Sequence, residues 1–230
     1  MDNLIKVVGR RVRSLYWTIR RKLRKTDNAP YRILMASVPR SGSTWLLRSM
    51  GMFPRGGTFP EDATVEFTRD LSKLPKRLFI KTHSTAPASL PQDVRAVFVF
   101  GDPIYSVVST KHKRFDKKHF GNCGYFKDEE PDIYNEDALG YEKMFDTWMG
   151  KNPYKVLALR YETLGMYHKV IEEFCGISFP LEKQRARKTT VDPELQAQLA
   201  RVYASFIDKV NKAPDAAIIG PDGVQVLEPK

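Results

Sequence analysis

The chain of 230 residues predicts a three-layer α/β/α fold with a central parallel sheet. Short apolar runs alternate with helical patterns along the chain, and polar residues directly follow several of these runs. The runs are continuous in hydrophobicity, which is typical of parallel strands covered on both faces. In such sheets ligands bind at the carboxyl ends of the strands, where the polar residues fall.

Four strands are predicted, at residues 31–38, 78–82, 96–100 and 155–159. Helices are predicted at residues 45–52, from Pro103 onwards, and at 137–149, 164–175 and 193–210. Residues 115–135 are polar and lack periodicity, so a loop or lid is expected there. The predicted organisation is a basic helix over residues 1–27, a main domain over residues 28–213 and a loosely ordered tail over residues 214–230.

Composition is that of one globular domain, since 42% hydrophobic and 11% aromatic residues suffice for an ordinary core. Cys123 and Cys175 lie far apart and lack the paired spacing of a zinc site or a disulfide framework, so a reducing compartment is expected. No run approaches the roughly 20 apolar residues that span a bilayer, and the N-terminus lacks the apolar core of a signal peptide. These features predict a cytoplasmic protein.

The net charge of +11 is concentrated in residues 1–25, which carry nine basic residues and one acidic residue. The remaining residues carry only +3, so nucleic-acid binding is not expected. The first segment also has an apolar stripe at helical spacing, formed by Leu4, Val8, Val12, Leu15, Ile19 and Leu23. This helix either packs on its own domain or a partner, or lies on an anionic membrane surface as a peripheral anchor.

The first predicted strand runs into Pro-Arg-Ser-Gly-Ser-Thr-Trp at residues 39–45 and then into a helix. In such a strand–loop–helix arrangement, backbone N–H groups and the helix N-terminus receive a phosphate. Gly42 permits close approach, Ser43 and Thr44 add hydroxyl donors, and Arg40 adds a fixed charge. The alternative is a plain turn rich in small residues. The loop lacks the Gly-Lys-Ser/Thr of nucleoside triphosphate loops.

Three further segments place polar residues at strand ends. Lys81-Thr82-His83 ends the second strand, where a histidine is either a general base or a structural residue. Residues 101–109 pass from the third strand through a tight turn into a helix that carries Ser109. Tyr161-Glu162-Thr163-Leu164 follows the fourth strand, where Tyr161 is either a site residue or part of the core.

Together these four segments resemble the sulfotransferase family over about residues 31–165. Residues 39–45 are similar to that family's loop for the 5′-phosphosulfate, and Lys81-Thr82-His83 matches its Lys-Thr-His. Residues 102–109 resemble its 3′-phosphate segment, and Tyr161-Glu162-Thr163-Leu164 resembles its Tyr-Glu-Asp-Leu. The resemblance implies that the donor is 3′-phosphoadenosine 5′-phosphosulfate and that the loop at residues 39–45 is a P-loop-like phosphosulfate-binding loop, with no metal.

The resemblance also implies roles for individual residues. His83 would deprotonate the acceptor hydroxyl, and Arg40 and Lys81 would contact the transferring sulfuryl group. The donor nucleotide would be bound by Ser41, Gly42, Ser43, Thr44, Trp45, Ser109 and Tyr161. The acceptor would be a small molecule or a carbohydrate. Candidate walls for its site are residues 53–68 and 115–134, because both segments carry aromatic and charged side chains.

This chain departs from the family at Gly101, where an arginine usually begins the 3′-phosphate segment. The family's C-terminal Arg-Lys-Gly loop is not recognisable either. Arg185, Arg187 and Lys188 lie in the corresponding part of the chain and are the candidates for the missing cations. Two alternatives to a sulfotransferase stay open at this point. They are a P-loop-type small-molecule kinase and a basic membrane-surface adaptor without catalysis.

Overall fold

A computed structural model describes residues 30–50, 65–76, 78–112, 117–184 and 190–230. These residues form a mixed sheet of seven strands in the order β2-β3-β1-β4-β5-β6-β7. The strands are β1 (Arg32–Ser37), β2 (Val65–Phe67), β3 (Phe79–Thr82), β4 (Val94–Phe100), β5 (Val156–Arg160), β6 (Ala216–Gly220) and β7 (Gly223–Val226). The first five are parallel to one another, and β6 and β7 are antiparallel additions at one edge.

Helices cover both faces of this sheet. They are α1 (Ser43–Ser49), α2 (Pro103–His112), α3 (Lys117–Asn122), α4 (Tyr141–Met149), a 3₁₀ turn (Leu164–Tyr167), α5 (His168–Cys175), α6 (Pro193–Val202) and α7 (Ala204–Lys212). Local sequence sets their ends. The Asp192 side chain accepts from the backbone N–H groups of Glu194 and Leu195 while Pro193 begins α6, and Gly176 ends α5 at a φ of 65°.

Strand β1 lies between β3 and β4, so the chain proceeds from it in both directions across the sheet. Leu34 is paired with Ile80 on β3 and with Ala96 on β4. The carboxyl end of β1 is therefore the topological switch point, at which neighbouring loops diverge and leave a crevice. The loop at residues 39–42 lies at this point.

Two apolar layers explain the continuous hydrophobic runs. Ile33 and Met35 on β1 pack on the side of α1 and α5, whereas Leu34 and Ala36 pack on the side of α2, α4, α6 and α7. The second layer is the larger and contains the stacked pair Phe98 and Trp148, whose ring centroids are 5.9 Å apart. Because successive residues point to opposite faces, a strand with apolar residues throughout must be covered twice. The predicted three-layer α/β/α architecture is confirmed.

Some details differ from the predictions. The helix predicted at residues 193–210 is two helices, which are interrupted at Tyr203, and α3 lies within the predicted loop. The short strand β2 was not predicted. Residues 1–27, for which a basic helix is predicted, lie outside the described residues, so the packing or membrane role of this helix stays a prediction. Within the described part of the chain, no helix has the length and apolar character needed to cross a membrane.

The prediction of a loosely ordered tail over residues 214–230 is wrong. Strand β6 pairs with β5, and a turn at Pro221 and Asp222 leads into β7. Ala216, Ala217 and Ile219 are buried against the sheet. The segment is ordered because β5 would otherwise expose its backbone and its apolar side chains at the sheet edge.

Deletion of residues 216–230 should therefore destabilise the protein by about 3 kcal/mol or more, since it removes a paired strand and its buried side chains. The free energy of unfolding in urea measures the loss. The matched control is deletion of residues 228–230, which removes an exposed ion pair between Lys230 and Glu173 and should cost less than about 1 kcal/mol. Equal stability of the two truncated proteins would contradict a structural role for β6.

Candidate active site

The loop after β1 contains two residues with a left-handed backbone conformation. The φ angles are 65° at Arg40 and 90° at Gly42. Glycine adopts such angles readily, whereas a non-glycine residue does so rarely. No described residue accepts a hydrogen bond from the backbone N–H of Gly42, Ser43 or Thr44. Successive N–H groups of this kind form a concavity that suits an anion.

Tyr161 closes one side of this loop. A Cβ atom added to Gly42 would lie 1.9 Å from Cδ2 of Tyr161, so the loop backbone lies directly against the ring. The backbone of Tyr161 is fixed by its N–H, which donates to the Phe100 carbonyl at 2.7 Å, and by its carbonyl, which accepts from Gln184 at 2.8 Å. Trp45 meets the same ring edge-on at a centroid distance of 6.4 Å. The loop thus has an aromatic wall of two rings.

Lys81 brings a positive charge to the other side of the loop. Its Nζ donates to Thr44 Oγ1 at 3.0 Å, which is a neutral partner. Burial, and after it the charges of Arg40 and Arg48, lower the pKa of Lys81 from its ordinary 10.5 to about 8. The neighbouring positive charges therefore disfavour protonation of Lys81, and a bound anion would reverse this effect.

The helix α2 meets the loop through serine side chains. Arg40 Nε donates to Ser109 Oγ at 3.0 Å, and Ser41 Oγ lies 3.4 Å from Ser106 Oγ. Gly101, where the resemblance described above leads one to expect an arginine, is buried at the end of β4. The guanidinium of Arg40 therefore lies beside Ser109, in the segment that lacks a cation of its own.

His83 is buried at the end of β3, and its orientation is set by Ser37. Its Nδ1 lies 2.7 Å from the Ser37 carbonyl oxygen and 3.3 Å from Ser37 Oγ. A carbonyl oxygen can only accept, so in the neutral ring Nδ1 carries the proton and Nε2 carries the lone pair. Ser37 Oγ also donates to Ser43 Oγ at 2.8 Å, which links the histidine to the loop. This tautomer is the one that a general base at Nε2 requires.

A cavity of about 390 Å³ lies next to His83. Its lining residues come from the ends of β2, β3 and α3 and from the start of α4. They are Arg69, His83, Ser84, Thr85, Cys123, Gly124, Ala138, Leu139, Gly140, Lys143 and Met144. Its volume falls in the range of small-molecule sites. Of the two predicted walls, residues 115–134 contribute Cys123 and Gly124, whereas most of residues 53–68 lies outside the described chain.

The structure brings most of the predicted site residues together around the carboxyl ends of β1, β3, β4 and β5. These residues are Arg40, Ser41, Gly42, Ser43, Thr44, Trp45, Lys81, His83, Ser109 and Tyr161. Arg185, Arg187 and Lys188 lie outside the described residues, so their part in holding the 3′-phosphate stays a prediction. Among the described residues, no group of three or more His, Cys, Asp or Glu side chains is arranged to hold a metal ion.

Sequence reasoning missed several residues of the site. Arg48 follows Thr44 by four residues on a predicted helix, and that spacing could have placed its charge on the same face. Ser106 precedes Ser109 by three residues and could have been found in the same way. No local signal identifies Ser37, Arg69 or Lys143, because tertiary contacts alone bring them to the site.

Comparisons with known proteins add little to this geometry. No family model matches the chain, and no curated protein matches it. Among solved structures, the crystal structure of the mouse sulfotransferase SULT7A1 complexed with PAP is similar at 19% sequence identity and a TM-score of 0.40. The match covers 80% of this chain and 66% of the mouse protein, so this chain spans slightly less than two thirds of the length of that protein. Because this likeness is distant, the function has to be inferred from the residues of the cleft.

Substitution of Gly42 by alanine should destabilise the protein by about 2–5 kcal/mol, because it adds a collision with Tyr161 to the cost of a left-handed backbone. Thermal or urea unfolding measures the change. Gly124→Ala is the matched control, since Gly124 has a φ of 87° and no atom within 4 Å of an added Cβ. The control should lose only about 1 kcal/mol. Equal losses would show that Tyr161 does not constrain the loop.

Proposed function

We propose that the chain is a sulfotransferase, which moves a sulfuryl group from 3′-phosphoadenosine 5′-phosphosulfate to a hydroxyl of a small molecule or carbohydrate. The observation that carries the proposal is one arrangement at the switch point. A loop with backbone N–H groups that are unpaired among the described residues, and to which Lys81 is bonded through Thr44, lies beside His83. The hydrogen bond of His83 to the Ser37 carbonyl places the lone pair of the neutral ring on Nε2. An acceptor in the adjoining cavity would meet a base on one side and a polyanion site on the other.

The donor would lie across the loop after β1. The backbone N–H groups of Gly42, Ser43 and Thr44 would donate to its 5′-phosphate, as expected for such a concavity. The rings of Trp45 and Tyr161 would pack against the adenine, because aromatic faces suit a flat base. Ser109, whose Oγ accepts from Arg40 Nε at 3.0 Å, would contact the 3′-phosphate, in the segment where Gly101 stands in place of an arginine.

The reaction needs one proton transfer and one displacement. Nε2 of His83 takes the proton of the acceptor hydroxyl while the acceptor oxygen attacks sulfur. The bond between sulfur and the bridging oxygen breaks, and its electron pair stays on the 5′-phosphate. Lys81, Arg40 and the loop amides stabilise the charge that develops there, and loss of one such donor typically costs on the order of 3 kcal/mol in the barrier.

The reaction itself is tested by incubating the protein with labelled donor and a panel of phenols, alcohols and monosaccharides. Transfer of label from 3′-phosphoadenosine 5′-phosphosulfate is the expected result. A parallel incubation with labelled ATP and magnesium tests the kinase alternative. Transfer from ATP alone would contradict the proposal.

Substitution of His83 by asparagine should lower the turnover number by about 10²–10⁴-fold, since the base is lost. The asparagine amide can still donate to the Ser37 carbonyl, so the affinity for 3′,5′-adenosine bisphosphate should change by less than about threefold, a difference below 1 kcal/mol. Initial rates and calorimetric titration measure the two quantities.

His168→Gln is the control, because His168 also bonds a backbone carbonyl, that of Phe179, through Nε2 at 2.6 Å, a position that the glutamine amide reaches, and it does not line the cavity. Its turnover should stay close to that of the unmodified protein. If His83→Asn kept turnover within about tenfold, below the usual contribution of a general base, His83 would not be the base. Parallel loss of donor affinity would instead make it a structural residue.

A further inference from the structure

The cavity beside His83 has two positive charges in its lining and no negative one. Arg69 and Lys143 are both lining residues, and none of the described lining residues is an aspartate or a glutamate. Both side chains are exposed to solvent, so they lie toward the mouth of the cavity rather than its buried end at His83. A ligand that fills the cavity would meet these charges at the end away from the base.

Arg69 is held in place by three contacts. Its Nη1 donates to the Gly121 carbonyl at 2.9 Å, and its guanidinium lies 4.2 Å from the centroid of the Phe126 ring. Its own carbonyl accepts from Ser84 Oγ at 3.1 Å, next to His83 in the chain. None of these partners carries a negative charge, and no carboxylate among the described residues pairs with Arg69. The charge is therefore fixed in position and available to an anion.

Lys143 likewise has no carboxylate partner among the described residues, although acidic residues surround it in sequence. Glu142 and Asp146 both pair with Lys209, each at 2.7 Å. The two carboxylate oxygens of Asp137 accept from the backbone N–H groups of Tyr141 and Glu142 at 2.8 and 2.9 Å. The nearby acids are thus engaged elsewhere, and the charge of Lys143 stays available to a ligand.

Part of the remaining lining of the cavity is apolar. Leu139 and Met144 are buried core residues that also line it, together with Ala138. We infer that the acceptor carries an anionic group such as a carboxylate, separated by an apolar body from the hydroxyl that His83 deprotonates. This inference rests on the proposed sulfotransferase function. It adds that Arg69 and Lys143 determine acceptor specificity.

The test uses three phenols of similar size that differ in charge. They are the anion 3-(4-hydroxyphenyl)propionate, its neutral amide and the cation tyramine. Calorimetry in the presence of 3′,5′-adenosine bisphosphate measures their binding to the full chain without requiring turnover. The carboxylate should bind at least about fivefold more tightly than the amide, and tyramine should bind most weakly. The preference should shrink as ionic strength rises, because the two charges are exposed.

Arg69→Gln and Lys143→Gln should each reduce the preference for the carboxylate over the amide by about threefold or more, and leave the affinity for the amide nearly unchanged. Lys151→Gln is the control, since Lys151 is an exposed lysine beyond the end of α4 that does not line the cavity. Its preference should equal that of the unmodified protein. Because Lys143 is exposed on a helix, its variant keeps the test valid if Arg69→Gln fails to fold.

Equal affinities for the carboxylate and the amide, no measurable binding of the carboxylate, or an unchanged preference in both cavity variants would overturn the inference. The same three compounds are also incubated with labelled 3′-phosphoadenosine 5′-phosphosulfate. Selective binding of the carboxylate without transfer of label to any acceptor would contradict the proposed reaction while supporting an anion site. Transfer of label to all three compounds alike would support the reaction and contradict the specificity.

Discussion

The close contact between Gly42 and the ring of Tyr161 constrains the whole cleft, because it joins the loop after β1 to the end of β5. The ring occupies the space that any side chain at position 42 would need. Tyr161 is in turn held by the backbone of Phe100 at the end of β4. Three strand ends are therefore fixed relative to one another, and the N–H groups of Gly42, Ser43 and Thr44 keep one orientation. A preorganised site of this kind needs no rearrangement as charge develops in a reaction.

The charges in the cleft favour the protein with a bound anion over the protein without one. Lys81 donates to a neutral hydroxyl, and its burial, followed by the neighbouring guanidiniums of Arg40 and Arg48, lowers its pKa. An anion that binds among these groups attracts them and offsets the free-energy cost of their burial and mutual repulsion. This relief contributes to the affinity for the anion. The same principle applies at the mouth of the adjoining cavity, where Arg69 and Lys143 have no described carboxylate partner.

The sequence predicted the parallel strands and the loop well, because both have local signals. Apolar runs such as residues 96–100 can be recognised as strands without tertiary information. Residues 39–45 combine a glycine, three hydroxyl side chains and an arginine in one short segment. The C-terminal hairpin was missed although Pro221-Asp222-Gly223 is a turn signal, because β7 is exposed throughout and β6 is stabilised by pairing with β5, which is distant in sequence. The charged lining of the cavity beside His83 was missed for a related reason, since Arg69 and Lys143 come from segments more than 70 residues apart.

Calorimetric titration of 3′,5′-adenosine bisphosphate at pH 8, in two buffers that differ in ionisation enthalpy, measures the number of protons taken up on binding. The free protein has Lys81 with a pKa of about 8, so roughly half of the molecules lack that proton at this pH. The phosphates of the ligand are already ionised at pH 8. A bound polyanion raises the pKa of the lysine, so the complex should take up about half a proton at this pH. Lys81→Met should abolish the uptake at pH 8. Binding without proton uptake, or equal uptake in Lys81→Met, would contradict the account of the cleft as a cationic site for the donor.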